Sequence, residues 1–233
     1  MSSTNRISIG LLLAIALLGV GLWVMYPRLA QPEKAMPSKR SPAPQAMEKM
    51  APTPKVDPLS GEYNPTVNPA DFTTQITNKY FSLPVGKKLY FDAETEEGPE
   101  QIEIVMTGET RVIEGVTTLV YLDTVRKDGQ IVEITKDYLA QHKKTGDVWY
   151  FGEDVDNYEN GKLVDHAGSF IHGKDGAKAG IWMKAEQKVG DSYRQEYYKG
   201  EAEDVRDTVA TGLTVTTKLG TFTDCVKVYD WTP

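Results

Sequence analysis

Cysteine and histidine are scarce in this chain of 233 residues, which holds one cysteine, Cys225, and three histidines. A single thiol excludes an intrachain disulfide and a cysteine-based zinc site. Because that thiol lies far from the N-terminus, lipid anchoring through an N-terminal cysteine is excluded as well. Cys225 stands in the alternating apolar run FTDCVKVYDW, which predicts a small buried side chain and not a reactive thiol.

Motifs for nucleophilic catalysis and phosphate binding are also missing. The segment Gly190-Asp191-Ser192 is not the Gly-x-Ser-x-Gly turn that presents a nucleophilic serine. Neither GxxxxGK(S/T) nor GxGxxG occurs at a strand–helix junction, so the sequence offers no phosphate-binding loop. His142, His166 and His172 fall in loops or near turns, and we expect them to be solvated.

The formal charge of −7 is unevenly distributed, since residues 1–59 carry +4 and the remainder carries −11. An acidic domain repels nucleic-acid phosphates, so we expect no nucleic-acid partner. An excess of acidic residues usually only keeps a protein soluble. The alternative explanation is that the acids bind a cationic ligand or a divalent metal.

Residues 7–26, ISIGLLLAIALLGVGLWVMY, carry no charge and match the hydrocarbon thickness of a bilayer at helical rise. They predict an uncleaved transmembrane anchor, with residues 1–6 as a cytoplasmic tip and the lipid bilayer as a partner. A cleaved signal peptide is the rival interpretation. The apolar region of a signal peptide is shorter, about 7–15 residues. Cleavage also requires small residues before the cut, and the nearest candidate site, which ends at Ala30, has Arg28 among them.

The signals for membrane orientation conflict. Four basic residues follow the span, and the positive-inside rule would keep that side in the cytoplasm: Arg28, Lys34, Lys39 and Arg40. The order of one span, a proline-rich spacer and a β-rich domain is instead typical of an exported, anchored protein. We therefore predict a single-pass protein of the inner (cytoplasmic) membrane, with its domain facing the periplasm or the cell exterior.

Proline concentrates after the predicted span, since residues 27–69 hold ten of the thirteen prolines. Proline fixes φ and removes a backbone donor, which predicts an extended, disordered linker over residues 27–67. We place the extracytoplasmic domain at residues 68–233.

From residue 68 onward the pattern is that of β-strands. Apolar side chains alternate along Ile102–Met106 and Leu119–Tyr121. Turn signals recur between such runs: Glu114-Gly115, Asp128-Gly129, Thr145-Gly146 and Asn160-Gly161. Strands spaced by roughly ten residues are typical of an antiparallel meander. The predicted fold class is mainly β, an antiparallel meander that forms a sandwich, a barrel or a half-barrel.

The pattern is less regular toward the C-terminus. Residues 167–190 are glycine-rich, which predicts a long loop that contains an apolar plug, Ile181-Trp182-Met183. Residues 191–209 begin with alternation typical of a strand, and two further strands are predicted at Thr208–Thr217 and Thr221–Trp231. The last predicted strand, Thr221–Trp231, should lie at an open edge of the sheet. Such an edge results from truncation of the chain or is completed by a strand of a neighbouring protein.

The stretch Asp147–His166 combines an aromatic strand with a cluster of acids, and a site is expected there. Further along, alternation puts Arg194 and Glu196 on one face of the strand SYRQEYY. They could orient a ligand in a barrel interior, or form an exposed cross-strand charge pair. The candidate ligand-binding residues are Trp149, Tyr150, Glu153, Asp154, Trp182, Arg194 and Glu196.

Metal binding has little support from the spacing of possible ligands. A calcium loop of the EF-hand type starting at Asp156 would have Ala167 where a bidentate glutamate belongs. Two histidines with neighbouring aspartates do not follow a known zinc or copper spacing. The weak candidates are Asp154, Asp156 and Glu159, and His166 and His172 with Asp165 and Asp175. We expect no metal and no cofactor.

Five short motifs together resemble a family of uncharacterised bacterial exported proteins and lipoproteins. They are Tyr80–Gly86 (YFSLPVG), Asp147–Asp154 (DVWYFGED), Gly180-Ile181, Gly190–Tyr197 (GDSYRQEY) and Ala202–Asp204. The resemblance covers residues 68–233 and implies an extracytoplasmic, mostly β domain without an assigned activity. The chain departs from that family in having a transmembrane-type anchor without a lipobox, and in stopping at Pro233 before an expected final segment.

These observations favour a domain that binds a small ligand or an envelope protein without catalysis. One alternative is a cell-envelope hydrolase that uses the acidic and aromatic cluster near Trp149, since paired carboxylates can hydrolyse glycosides. Another is a structural subunit of a membrane complex, in which the open strand at residues 225–231 pairs with a neighbour.

Overall fold

The computed structural model describes residues 63–81, 84–95, 98–217 and 219–233. The predicted anchor at residues 7–26 and most of the predicted linker lie outside these ranges. Within them, no helix has the length and apolar composition needed to cross a bilayer. The hydroxyl of Tyr63 donates to the carbonyl of Ala179 at 2.8 Å, so the chain contacts the domain already before Asn68.

Strands dominate the described residues, with one short 3₁₀ turn at Pro69–Asp71. In chain order the strands are β1 (Phe72–Thr73), β2 (Lys88–Thr95), β3 (Gly98–Ile113), β4 (Val116–Lys127), β5 (Gln130–His142), β6 (Val148–Glu159), β7 (Lys162–Asp165), β8 (Phe170–Ile171), β9 (Lys178–Met183), β10 (Ser192–Arg194), β11 (Glu196–Tyr197), β12 (Val205–Thr217) and β13 (Gly220–Trp231).

Two-residue turns join the long strands where the sequence predicts them. Glu114-Gly115, Asp128-Gly129 and Asn160-Gly161 each have positive φ at both positions, between 44° and 80°. Paired positive φ angles define the hairpin turn that matches the right-handed twist of its two strands. These turns set the order of the meander.

The strands form two sheets. In the larger one the order is β11-β9-β6-β5-β4-β3-β2, with β1 paired to β5 and with β7 and β8 paired to β6. The smaller sheet has the order β10-β12-β13. All pairings are antiparallel, and strands β2 to β6 are neighbours in sequence order. The prediction of a mainly β meander is therefore confirmed, and the large sheet curls as a half-barrel.

The large sheet has apolar side chains on both faces. Its inner face packs against the small sheet, because Val226 and Val228 of β13 belong to the same core as Ile102 and Ile104 of β3. A second, smaller core on the outer face has Phe72 of β1 at its centre. Cys225 is fully buried, as predicted.

Two predictions for the later part of the chain are wrong. Residues 167–190 are not one loop, because β8 and β9 lie within them and the apolar plug 181–183 belongs to β9. Residues 192–197 do not form one strand, because β10 joins the small sheet and β11 joins the large sheet. The chain passes between the two sheets at Gln195, and both Arg194 and Glu196 are buried, so they do not form an exposed charge pair.

A bulge in β6 changes which side chains face the inner core. Leu139 of β5 lies opposite Tyr150 and Asp137 lies opposite Glu153, so β6 has one more residue than β5 between these pairs. The extra residue falls at Gly152, which has a φ of +140° and lies close to the carbonyl of Phe170. A bulge re-aims the side chains that follow it. Tyr150 and Glu153 thus share the inner face, although they are an odd number of residues apart.

Gly180 allows two parts of the chain to cross closely. It pairs with Tyr150 of β6, and a methyl group at Gly180 would overlap the main chain of Gln195 and Glu196. The absence of a side chain therefore lets β11 lie on β9 and carries Glu196 toward the inner face.

We expect Gly180→Ala to lower the free energy of unfolding by about 3 kcal/mol or more, because backbone atoms must move to accept the methyl group. Gly200→Ala is the control, since Gly200 has a φ of +80° but no atom within 4 Å of an added methyl. Conformational strain alone should make that control less stable by about 1–2 kcal/mol. Urea denaturation followed by circular dichroism measures both, and equal losses would contradict the packing role of Gly180.

Candidate binding site

Three carboxyl groups lie near the hydroxyl of one tyrosine on the inner face of the half-barrel, and a fourth lies beside them. Asp123 comes from β4, Asp137 from β5, Glu153 and Tyr150 from β6, and Glu196 from β11. We call these five residues the interior carboxyl cluster. Because Asp137 lies directly opposite Glu153, the sheet itself places those two carboxyl groups side by side.

The Tyr150 side chain is the centre of the cluster. Its hydroxyl donates to Oδ1 of Asp137 at 2.5 Å, and the Glu153 carboxyl group lies close to the same hydroxyl. Trp182 packs edge-to-face on the Tyr150 ring, with 4.8 Å between the ring centroids. The carboxyl groups therefore have an apolar, aromatic environment on one side, and water is largely kept away from them.

The carboxyl groups continue from the cluster to one end of the sheet. Asp123 lies opposite Thr135, which puts Glu133 and Asp137 in the two diagonal positions beside it. Exposure falls steadily along this row: 6% for Glu100 and Glu133, 3% for Asp123 and Asp137, 1% for Glu153 and 0% for Glu196. Glu100 is paired at 4.0 Å with Lys127, whose side chain is partly exposed. A row of buried acids therefore extends from the neighbourhood of Lys127 to Glu196 in the core.

Burial raises the pKa of these acids, because the charged form loses its hydration. It raises the pKa of Asp123 to about 8, with the nearby charges of Asp137 and Glu133 as further causes. It also raises the pKa of Glu133 to about 7 and lifts that of Asp137 in the same direction. The pKa values of Glu153 and Glu196 are raised well above the usual range, first by burial and then by neighbouring carboxylates.

Many oxygens of the cluster lack a hydrogen-bond donor. Among the described residues, five buried carboxyl oxygens have no partner: Oδ1 of Asp123, Oδ2 of Asp137, Oε1 of Glu153 and both Oε atoms of Glu196. The indole N–H of Trp182 is likewise buried and has no acceptor. Buried polar groups are nearly always hydrogen-bonded. The donors that these oxygens require are protons held by the acids themselves, or groups of a bound molecule.

Four of the seven predicted site residues lie together here. Tyr150, Glu153 and Glu196 belong to the interior carboxyl cluster, and Trp182 covers it. Trp149 lies on the opposite face, where its ring contacts Phe72 in the outer core.

Arg194 lies apart from the cluster, between two tyrosines. Its guanidinium is 4.5 Å from the ring centroid of Tyr197 and 5.6 Å from that of Tyr63. Arg194 is not among the groups that shift the pKa of Glu196, although only one residue separates them. The structure therefore does not bring Arg194 and Glu196 to one ligand.

The weak metal candidates lie on the outer face or in loops. Asp154 accepts from Arg111 and from Tyr138, each at 2.6 Å, and Asp156 contacts Nδ1 of His166 at 2.9 Å. Asp154, Asp156 and His166 line a surface groove of about 430 Å³. Glu159 is exposed at the end of β6. In the described ranges, no three histidine, cysteine or acidic side chains are arranged to hold a metal ion.

Sequence reasoning missed Asp123 and Asp137, although a signal was present. Asp123 continues the alternating series Leu119, Tyr121 and Val125, all of which are buried. An acid at a core position of a strand is unusual, since carboxylates are rarely buried without a partner. Following the alternation one step further would have named both residues.

Comparison of the chain with family models, with curated proteins and with solved structures found no match. The proposals below are therefore supported by the geometry of the site and by the sequence.

Because the buried acids hold their protons in the folded state, we predict that the free energy of unfolding falls as the pH rises. In the unfolded chain carboxyl groups release their protons near pH 4, whereas Asp123 and its neighbours retain theirs to about pH 7–8 in the folded state. In that window the folded state binds more protons, so raising the pH favours unfolding. We expect the free energy of unfolding to drop between pH 5 and pH 8 by up to about 1.4 kcal/mol per pH unit for each such group.

Asp123→Asn should flatten this dependence and stabilise the protein at pH 8. Asp92→Asn, at an exposed position of β2, is the matched control and should keep the wild-type slope. Thermal unfolding at several pH values compares them. A wild-type protein as stable at pH 8 as at pH 5 would show that the buried acids do not hold their protons.

Proposed function

We propose that the chain is a non-catalytic binding domain, tethered to the extracytoplasmic side of a membrane, whose ligand is a small organic cation. The site is the interior carboxyl cluster. The observation that carries this proposal is the convergence of five partnerless carboxyl oxygens from four strands. Membrane attachment is supported by the sequence of residues 7–26 and by the resemblance to exported proteins.

The chemistry of the cluster favours a cation with several N–H donors. Among the described residues, no lysine, arginine or histidine forms an ion pair with its four carboxyl groups. An ammonium or guanidinium group supplies both the missing positive charge and the missing donors. Its binding would displace protons from the acids, so affinity should increase as the pH rises.

The row of acids supports a route for such a ligand. Glu100 and Glu133 lie near the end of the sheet and Glu196 lies deepest, so carboxyl groups that can exchange a proton for a cation follow one another inward. Each carboxyl group that gives up its proton would attract a cation of this kind. Lys127, which is paired with Glu100, would be the residue that a ligand passes first.

The hydrolase alternative is favoured by one feature, the opposed pair Asp137 and Glu153 with raised pKa values. Catalytic carboxyl groups must however lie within hydrogen-bond distance of the bond that is broken. Both side chains are buried behind Tyr150 and Trp182, where a polysaccharide cannot reach them. The geometry is thus better suited to holding a compact ligand than to cleaving a polymer.

Thermal shift at pH 8 with putrescine, spermidine, agmatine and Mg²⁺ tests the proposal on the full chain. An organic cation at 100 times its Kd should stabilise the folded state by about 2.7 kcal/mol, which raises the Tm by about 5–10 °C. The shift should be smaller at pH 5, where protons compete.

Glu153→Gln and Glu196→Gln should abolish this shift, because each removes a carboxyl group that would pair with the cation once its proton is displaced. Glu159→Gln, at the exposed end of β6, is the matched control and should respond as the wild type does. If none of the organic cations binds, or if binding is the same in all three variants, the cluster is not a cation site. Stabilisation by Mg²⁺ alone would contradict the organic ligand class.

A further inference from the structure

One edge of the large sheet is a regular, open strand. In the described chain, β2 pairs with β3 on one side and has no strand on the other. Its eight residues pair with β3 in unbroken register, whereas each of the other long pairings contains at least one irregularity. A flat edge with free N–H and C=O groups is a template for another strand.

β2 also exposes two large aromatic side chains. Tyr90 is 67% exposed and Phe91 is 49% exposed, and since they are consecutive they lie on opposite faces of the strand. The open edge of the small sheet differs, because the pairing of β13 with β12 contains three register shifts and Asp224 has a φ of +57°. Bulges of that kind protect an edge from pairing, and β2 has none.

The charges of β2 are self-complementary. Lys88 stands at the start of the strand, and Asp92 and Glu94 stand toward its end. If a second β2 runs antiparallel with a twofold axis at Phe91, each Lys88 lies opposite Glu94 of the other copy. A parallel copy would place lysine against lysine, which is unfavourable.

We propose that β2 pairs with β2 of a second copy of this chain, antiparallel and with Phe91 on the twofold axis. The two large sheets then continue into one sheet across the dimer. The two Phe91 rings face each other on one side of it. Such an interface uses the same patch on both subunits, so it closes as a dimer and does not extend into a fibre.

Cysteine cross-linking tests this register. Residues directly opposite in an antiparallel pair have Cα atoms about 4.5–5.5 Å apart, which fits a disulfide. Mild oxidation of the full chain in detergent should therefore convert most of Phe91→Cys to a covalent dimer. The wild type, whose Cys225 is buried, should stay monomeric on a non-reducing gel. Leu219→Cys, at a highly exposed position away from β2, is the control for random collision.

A charge exchange tests the contact without a disulfide. Lys88→Glu places like charges opposite each other twice, so the dimer Kd should rise about tenfold in sedimentation velocity. Adding Glu94→Lys to the same chain should restore the wild-type Kd. Within one chain, Lys88 also forms an ion pair with Glu103, and the double variant still lacks that ion pair. A restored dimer Kd must therefore come from the contact between the two copies.

The proposal is wrong if wild-type protein is monomeric at all concentrations tested, or if Phe91→Cys cross-links no more than Leu219→Cys. Cross-linking of Phe91→Cys to a different protein would assign the edge to that partner instead. A dimer that Lys88→Glu leaves unchanged would place the interface elsewhere.

Discussion

The burial of carboxyl groups is the constraint on which this molecule depends. A carboxylate moved from water into an apolar interior is strongly disfavoured unless a proton, a cation or several hydrogen-bond donors accompany it. Here the small sheet and Trp182 exclude water from an inner face that carries Asp123, Asp137, Glu153 and Glu196. Folding and ligand chemistry are therefore coupled, because whatever neutralises these acids also stabilises the packing of the two sheets.

Much of the fold could be predicted from the sequence because its strongest signals are local. Strands β2 to β6 alternate with period two and are joined by turns such as Asp128-Gly129, whose backbone conformation the residues themselves favour. The segments that were mispredicted, β8 to β11, are two to six residues long, and β8 and β9 lie in a glycine-rich stretch. Their extended form comes from pairing with β6, β9 and β12, which lie outside each segment, so no short window contains the cause.

The site could be predicted in part for a similar reason. Tyr150 and Glu153 were singled out by the density of aromatic and charged residues around them, Trp182 as part of an apolar plug and Glu196 by strand alternation, and the four do lie together. Asp154 and Arg194 satisfied the same criteria and lie elsewhere. Density cannot report the face of the sheet that a side chain occupies. That depends on the bulge at Gly152 and on the change of sheet at Gln195, two backbone irregularities that period-two reasoning does not foresee.

The extra residue in β6 has a consequence for how homologous chains should be compared. Deleting Gly152 would leave Tyr150 and Glu153 two residues apart, so regular alternation would keep both on the inner face. A chain that kept a residue there but could not form the bulge would instead exchange inside for outside at every later position of the strand, so that Asp154 would enter the core and Glu153 would face the solvent. Identity counted letter by letter would rate two such proteins as near duplicates. In evolutionary terms, the loss of one codon at Gly152 is therefore the mild change, whereas a substitution at Gly152 that prevents the bulge would exchange a hydrated acid for a buried one.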